Sequence, residues 1–167
     1  MLRIIIAGTE EYNDYPFLKE TCLNIVAKEQ YMREIPNKEV EFVSGHAPRG
    51  ADYYGERFAK EYGFEPKLHP ANWNDLDEVP CIPKTSHYGQ YNALAGFNRN
   101  QRMADYAGEN GVLIAFRIGN GNGTTDMIKR AKKSGLKVYQ IDYDKDRKIK
   151  IWNGEKNETF ILATKLQ

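Results

Sequence analysis

Gly119-Asn120-Gly121-Asn122-Gly123-Thr124-Thr125-Asp126 lies between an apolar run, Val112-Leu113-Ile114-Ala115-Phe116, and a helical pattern that begins Met127-Ile128-Lys129-Arg130-Ala131. That order reads as strand, glycine-rich turn, helix. Glycines at alternate positions allow positive φ and let a ligand approach the main chain closely. The unpaired amides that open the following helix, together with its dipole, favour a phosphate or a carboxylate. The spacing is neither the dinucleotide fingerprint nor the P-loop, which ends in Gly-Lys-Ser/Thr.

The same alternation extends outward from this loop. Residues 2–7 form a continuous β-branched run, as expected of a strand buried on both faces of a parallel sheet, and Gly8-Thr9 ends it. A helix follows from Tyr15 to Gln30, with Asp14 as its cap and Pro16 in its first turn. A strand at 39–44 stops at Gly45, a helix runs from Ala51 to Tyr62 before Gly63, and a weaker strand covers Phe64–His69. Residues 70–94 contain three prolines and no period, so an irregular loop, functional or mobile, is expected there. A helix from Ala95 or Asn98 to Tyr106 follows, then the strand at 111–116. Beyond the glycine loop come a helix to Lys133 and a strand at 136–141. Lys148–Trp152 and Glu158–Leu162 alternate about Asn153-Gly154 and predict a terminal hairpin. The expected fold class is α/β: a Rossmann-like, doubly wound, mostly parallel sheet with a C-terminal β-hairpin. One domain is expected over 1–167, with its core at 2–141 and the hairpin at about 147–163.

The chain has 167 residues, long enough for one sizeable core. Twenty-four Lys and Arg balance 23 Asp and Glu, which argues against a general polyanion-binding surface. No apolar run is long enough to span a bilayer. The two cysteines, Cys22 and Cys81, lie far apart and outside metal-ligand spacing, and a cytoplasmic location fits them. The three histidines share no ligand spacing, so neither a metal nor a cofactor is expected.

Ligands of doubly wound sheets bind at the carboxyl ends of the strands, and Gly8, Thr9, Ser44, Gly45 and the glycine loop all fall there. Arg49, between Pro48 and Gly50, is placed to offer a bidentate fork to a phosphate. Asp52 opens a helix, where the dipole favours its carboxylate whether or not a ligand is near. Arg99 and Arg102 flank Asn100 near the start of another helix, where a cation is unfavourable unless an anion is present. Trp73 and the tyrosines Tyr12, Tyr15, Tyr53 and Tyr54 are candidates for stacking on a base. Ser44-Gly45-His46 does not match the nucleophile elbow, which places its serine between two glycines.

The loop Gly119-Asn-Gly-Asn-Gly-Thr124 resembles the Pro-Gly-Gly-x-Gly-Thr signature of the SLOG superfamily. That superfamily includes the LONELY GUY phosphoribohydrolases, the DNA-processing protein of transformation and nucleotide-sensing domains of bacterial defence systems. Four further stretches resemble its cpYpsA-related branch, common in bacteria and phages. They are Ala7-Gly8-Thr9 with Tyr12 and Asp14-Tyr15; Ser44 to Asp52; Pro70-Ala71-Asn72-Trp73; and Arg99-Asn100-Gln101-Arg102-Met103.

The resemblance covers about 2–141 and implies a pocket for a nucleotide or an ADP-ribose-like molecule. In it Gly119, Asn120, Gly121, Asn122, Gly123 and Thr124 would hold phosphate or ribose, Arg49 and Arg99 would add charge, and Trp73 or Tyr12 would cover the base. It also implies a homodimer or larger assembly through helices 95–107 and 123–134, and a place in defence conflicts between phage and bacterium. The chain departs from the phosphoribohydrolases at their catalytic glutamate, where Met127 stands, with Asp126 one residue earlier. It departs from the branch where Glu10 replaces an arginine. Binding without efficient catalysis is therefore the expected function. Two alternatives are N-glycosidic hydrolysis, with Asp126 or Glu10 as the carboxylate, and single-stranded nucleic-acid binding, which the balanced charge disfavours.

Overall fold

The computed structural model describes residues 1–154 and the course of strand 157–161. One seven-stranded sheet carries the fold. Its strands are β1 (Leu2–Gly8), β2 (Val40–Ser44), β3 (Lys67–Leu68), β6 (Val112–Arg117), β7 (Lys137–Asp142), β8 (Lys148–Trp152) and β9 (Asn157–Ile161). Two further strands, β4 (Pro83–Ser86) and β5 (Gly89–Asn92), pair only with each other. The order across the sheet is β3-β2-β1-β6-β7-β8-β9. The first five run parallel, and β8 and β9 add antiparallel. The α/β, mostly parallel, Rossmann-like architecture is therefore as expected. Residues 162 and 163, the end of the expected hairpin, lie outside the described residues.

Among the described residues four α-helices flank the sheet: α1 (Tyr15–Arg33), α2 (Ala51–Glu61), α3 (Ala95–Ala107) and α4 (Asn122–Lys133). Successive side chains of a strand point to opposite faces, and the core divides accordingly. Ile4, Ile6, Ile114 and Phe116 pack with Leu18, Ile25 and Phe58 of α1 and α2. Ile5, Ala7, Leu113 and Ala115 pack with Met103, Met127 and Ile128 of α3 and α4. Both faces are covered, which is why these strands are continuously apolar.

Three boundaries differ from expectation. The first helix continues to Arg33 and turns at Glu34 in the left-handed region (φ 56), because no breaker precedes Pro36. The third strand shrinks to Lys67–Leu68: Pro66 removes a donor, and both residues are exposed at the sheet edge. The 70–94 segment, expected to be irregular, contains the β4–β5 hairpin. Its lock is Asn92, fully buried, whose Oδ1 accepts from the Ile82 and Leu94 amides (3.1 and 3.0 Å) and whose Nδ2 donates to the Pro80 carbonyl (3.2 Å). The Asn92 amide itself donates to the Trp73 carbonyl (2.8 Å).

Candidate functional site

The chain runs from β1 outward through β2 to β3, then returns to the other side of β1 with β6. The carboxyl ends of β1 and β6 thus meet at the topological switch point, where doubly wound sheets open a crevice. A cavity of about 280 Å³ lies there. Ala7, Gly8 and Thr9 form its strand side, with Glu10 and Glu11 beyond them. Asp52 comes from the first turn of α2, with Ala47 beside it. Arg99, Asn100 and Met103 come from α3, and Asn122, Gly123, Thr124 and Met127 from α4.

Close approach of backbones builds this corner. A Cβ on Gly8 would stand 2.1 Å from the Phe116 carbonyl oxygen and 2.7 Å from Ala51 Cβ, so α2 can meet the sheet only over a glycine. Gly50 turns into α2 at φ 77, and a Cβ there would meet the backbone of Thr9 and Glu10 at about 2.5 Å. Thr9 ties the loops together. Its amide donates to Phe116, its carbonyl accepts from Tyr12 and Ala51, and its Oγ1 accepts from the Ile118 amide at 3.0 Å.

Two features give the cavity its chemistry. Asn122, Gly123 and Thr124 open α4, and Thr125 makes the first bond back, to Gly121 (2.9 Å). The three earlier amides have no acceptor within the helix, no side chain caps it, and all three residues line the cavity. Asp52 is the second. It is 6 % exposed, and its Oδ2 accepts from the Ala47 amide at 3.1 Å. Burial pushes its carboxyl up to about 6, with Arg99 and the Ala47 amide pulling the other way. Arg99 is half-buried and held by its Nη1 on the Gly45 carbonyl (2.5 Å) and its Nε on Asn100 Oδ1 (3.0 Å). Burial lowers the pKa of its guanidinium, while Asp52 raises it.

No protein-family model, curated protein or solved structure matches the chain. The site is therefore characterised by its own geometry.

That geometry unites Gly8, Thr9, Glu10, Asp52, Arg99, Asn100, Asn122, Gly123 and Thr124 around one cavity. The other candidates stand elsewhere. Arg49 is largely exposed and bound to Glu10 (3.2 Å) and Glu11 (3.8 Å), outside the lining. Ser44 is buried and donates to Glu56 (3.0 Å); the Glu56 carboxylate also meets His46 Nδ1 at 3.0 Å, so both side chains turn to the same carboxylate. Gly45 and Gly50 shape the turn behind the lining rather than facing the cavity.

Within the glycine loop only Gly119 has positive φ (60), and its amide donates to Asp144. Gly121 is the residue before α4 at φ −42, and neither it nor Asn120 lines the cavity. Trp73 packs near Gly96 and Tyr91. Tyr12 is fully buried, with its hydroxyl donating to the Asp14 carbonyl. Among the described residues no aromatic side chain lines the cavity.

Asp126 also faces away. One helical step from Met127 is about 100°, and that step turns Asp126 onto α3. There its Oδ2 accepts from Asn100 Nδ2 (3.0 Å) and from Arg130 Nε (2.8 Å). Asn100 additionally donates to the Gly123 carbonyl (3.1 Å), so it clamps the glycine loop to α3. Arg102 is held by Glu78 and by the Pro70 carbonyl, and it anchors the 70–94 segment. The sequence-based candidates did not include Ala7, Glu11, Ala47, Met103 and Met127 of the lining. Ala7, Ala47 and Met103 stood only within the stretches that carry the resemblance, Met127 only as the residue in place of a catalytic glutamate, and Glu11 in a polar loop with no signal of its own.

Proposed function

We propose that the protein binds a nucleotide or nucleotide-derived, ADP-ribose-like small molecule in this cavity. One observation carries the reading: three residues at the start of α4, whose amides have no acceptor within the helix, line a cavity at the switch point of the sheet. Anions are favoured there by the amides and the helix dipole. Three carboxylates, Glu10, Glu11 and Asp52, face the cavity against the one guanidinium of Arg99. That balance favours a single phosphate held by the amides over a polyphosphate held by cations. At about 280 Å³ the cavity lies at the small end of small-molecule sites, which run roughly 300–1,000 Å³. It suits a sugar phosphate, with the base extending past Glu10 and Glu11 rather than stacking inside. Family membership in the SLOG superfamily, a cytoplasmic location, self-association through α3 and α4 and a role in sequestering a defence signal belong to the same proposal and rest on the sequence resemblance. Among the described residues, no helix is long and apolar enough to cross a membrane.

Equilibrium dialysis against AMP and against ADP-ribose tests the reading. Saturable binding of one molecule per chain is expected, with the ligand recovered intact. No binding of either at millimolar concentration would contradict it.

One observation favours N-glycosidic hydrolysis as a second reading. The buried Asp52, whose carboxyl sits near 6, lines the cavity where Asp126 does not. Steady release of free base from nucleoside monophosphates, lost in Asp52→Asn with binding retained, would establish that activity. Intact ligand after prolonged incubation would exclude it for those substrates.

A further inference from the structure

We propose that Asp52 reads the hydroxyl groups of the bound sugar, so that the cavity accepts ribose phosphates and discriminates against 2-deoxyribose phosphates. This rests on the reading of the cavity as a nucleotide site and specifies the sugar that it takes.

The Asp52 side chain is more than nine-tenths buried, yet it is only partly satisfied. Oδ2 accepts from the Ala47 amide at 3.1 Å, and among the described residues Oδ1 accepts no hydrogen bond. Oδ1 is not sealed off: it is not among the buried side-chain atoms that lack a partner, so this oxygen of an otherwise buried residue takes its donor from whatever fills the cavity. The residue lines the cavity, so a ligand is in position to supply that donor. An ionised carboxylate only accepts, so the ligand group must donate.

Two kinds of donor are conceivable, a cation or a hydroxyl. Arg99 lines the same cavity and already offsets part of the charge of Asp52. Among the described residues no group of three carboxylate, histidine or cysteine side chains is gathered to hold a metal ion, whereas a hydroxyl needs only the one free carboxylate oxygen. The geometry therefore points to hydroxyls. Oδ1 and the second lone pair of Oδ2 leave room for two donors, the number a vicinal diol provides.

The α4 amides come from a different element of the lining than Asp52, and Ala7, Gly8 and Met127 add no polar side chain to it. A ligand with a phosphate at one end and adjacent hydroxyls at the other matches that distribution. Ribose 5-phosphate is the simplest such molecule. Its 2-deoxy analogue presents one hydroxyl fewer and leaves the buried carboxylate underpaired. Sites built to hydrogen-bond a hydroxyl reject analogues that lack it for this reason.

The test uses calorimetric titration of the full chain with ribose 5-phosphate, 2-deoxyribose 5-phosphate and AMP. Wild type is expected to prefer the ribose compound by roughly 10- to 100-fold, the range for one hydrogen bond to a charged group. Asp52→Asn keeps an acceptor for the Ala47 amide but faces the ligand as a neutral amide, and the preference should fall to roughly threefold or less. If that variant does not fold, Asp52→Ser serves the same purpose with a smaller side chain. Equal affinity of wild type for the two sugar phosphates would overturn the inference, and so would a preference that persists in the folded variant. Binding of AMP with neither sugar phosphate bound would also overturn it, leaving the nucleotide reading intact. Failure of all three ligands to bind would instead overturn that reading.

Discussion

Asp52→Asn should make the folded protein more stable at neutral pH. The wild-type carboxyl sits at about 6 against an ordinary 3.8, because burial outweighs the help of Arg99 and the Ala47 amide. At 1.36 kcal/mol per unit, holding the ionised form in the fold costs about 3 kcal/mol. The asparagine amide needs a donor partner of its own and returns part of that gain, so a net increase of about 1–3 kcal/mol is expected. The sign follows from linkage. A carboxyl whose folded pKa is raised binds more protons in the folded state between the two values. Its contribution is fully present below about 3.8 and is lost as the pH rises through about 6. The charges that set this value come from α3 (Arg99), from α2 itself (Glu56) and from the loop after β1 (Glu10).

Urea denaturation of both proteins at pH 8, 6 and 5 measures the effect. The variant's advantage should be largest at pH 8 and shrink as the pH falls. In thermal melts each 1 kcal/mol corresponds to roughly 2–4 °C for a chain of this size. A variant less stable than wild type at pH 8, or an advantage independent of pH, would refute the placement of a buried carboxylate that Arg99 and the Ala47 amide compensate only in part.

Glu29 behaves in the opposite way. It is fully buried, but Lys137 Nζ, Tyr139 Oη and Arg33 Nη2 all donate to it at 2.9 Å. Burial alone would raise its pKa, and these partners more than reverse that, leaving it lowered. Glu29→Gln should therefore cost about 3–5 kcal/mol at pH 7 in urea melts. Wild type should lose this contribution only as the pH falls below the ordinary glutamate range. Asn92→Ala removes three hydrogen bonds of the β4–β5 lock and should expose residues 80–92 to limited proteolysis, while nucleotide affinity stays within about threefold. Light scattering at micromolar concentration should give the mass of a dimer if α3 and α4 carry self-association, and a monomer mass would remove that part of the proposal.

The parts of the fold legible in the sequence were those whose apolar pattern reports burial directly. Residues 2–7 and 112–116 read as buried parallel strands because helices cover both of their faces. Asp14 read as a cap because capping is local, and its Oδ1 accepts from the Phe17 amide at 3.1 Å. The β4–β5 hairpin was not legible: its residues are mostly exposed, so no alternation marks them, and its lock is one buried asparagine.

In the site, Gly8, Thr9 and Asn122 to Thr124 followed from their place after strands. Arg49 did not, because its carboxylate partner lies 39 residues earlier in the chain. Asp126 misled because neighbouring helix positions point in different directions, and only the packing of α3 on α4 shows which one meets the cavity. Asp52 looked like an ordinary complement to a helix dipole. Its importance comes from burial beneath Gly45 and Arg99, where a Cβ on Gly45 would stand 2.5 Å from Arg99 Nη1 and 2.9 Å from Asp52 Oδ2.

Gly123 gives the most direct test of where the ligand sits. It lines the cavity at the start of α4, and a Cβ built on it meets no atom within 4 Å. A valine there should leave the fold intact while filling the space in front of the α4 amides. Calorimetric titration of AMP into wild type and into Gly123→Val is the decisive measurement, with urea melts confirming that both are folded. One site per chain in wild type and a loss of affinity of at least about 100-fold in the variant, the scale of about 2.7 kcal/mol, is the expected result. Unchanged affinity in a folded Gly123→Val protein would contradict ligand binding at the α4 amides.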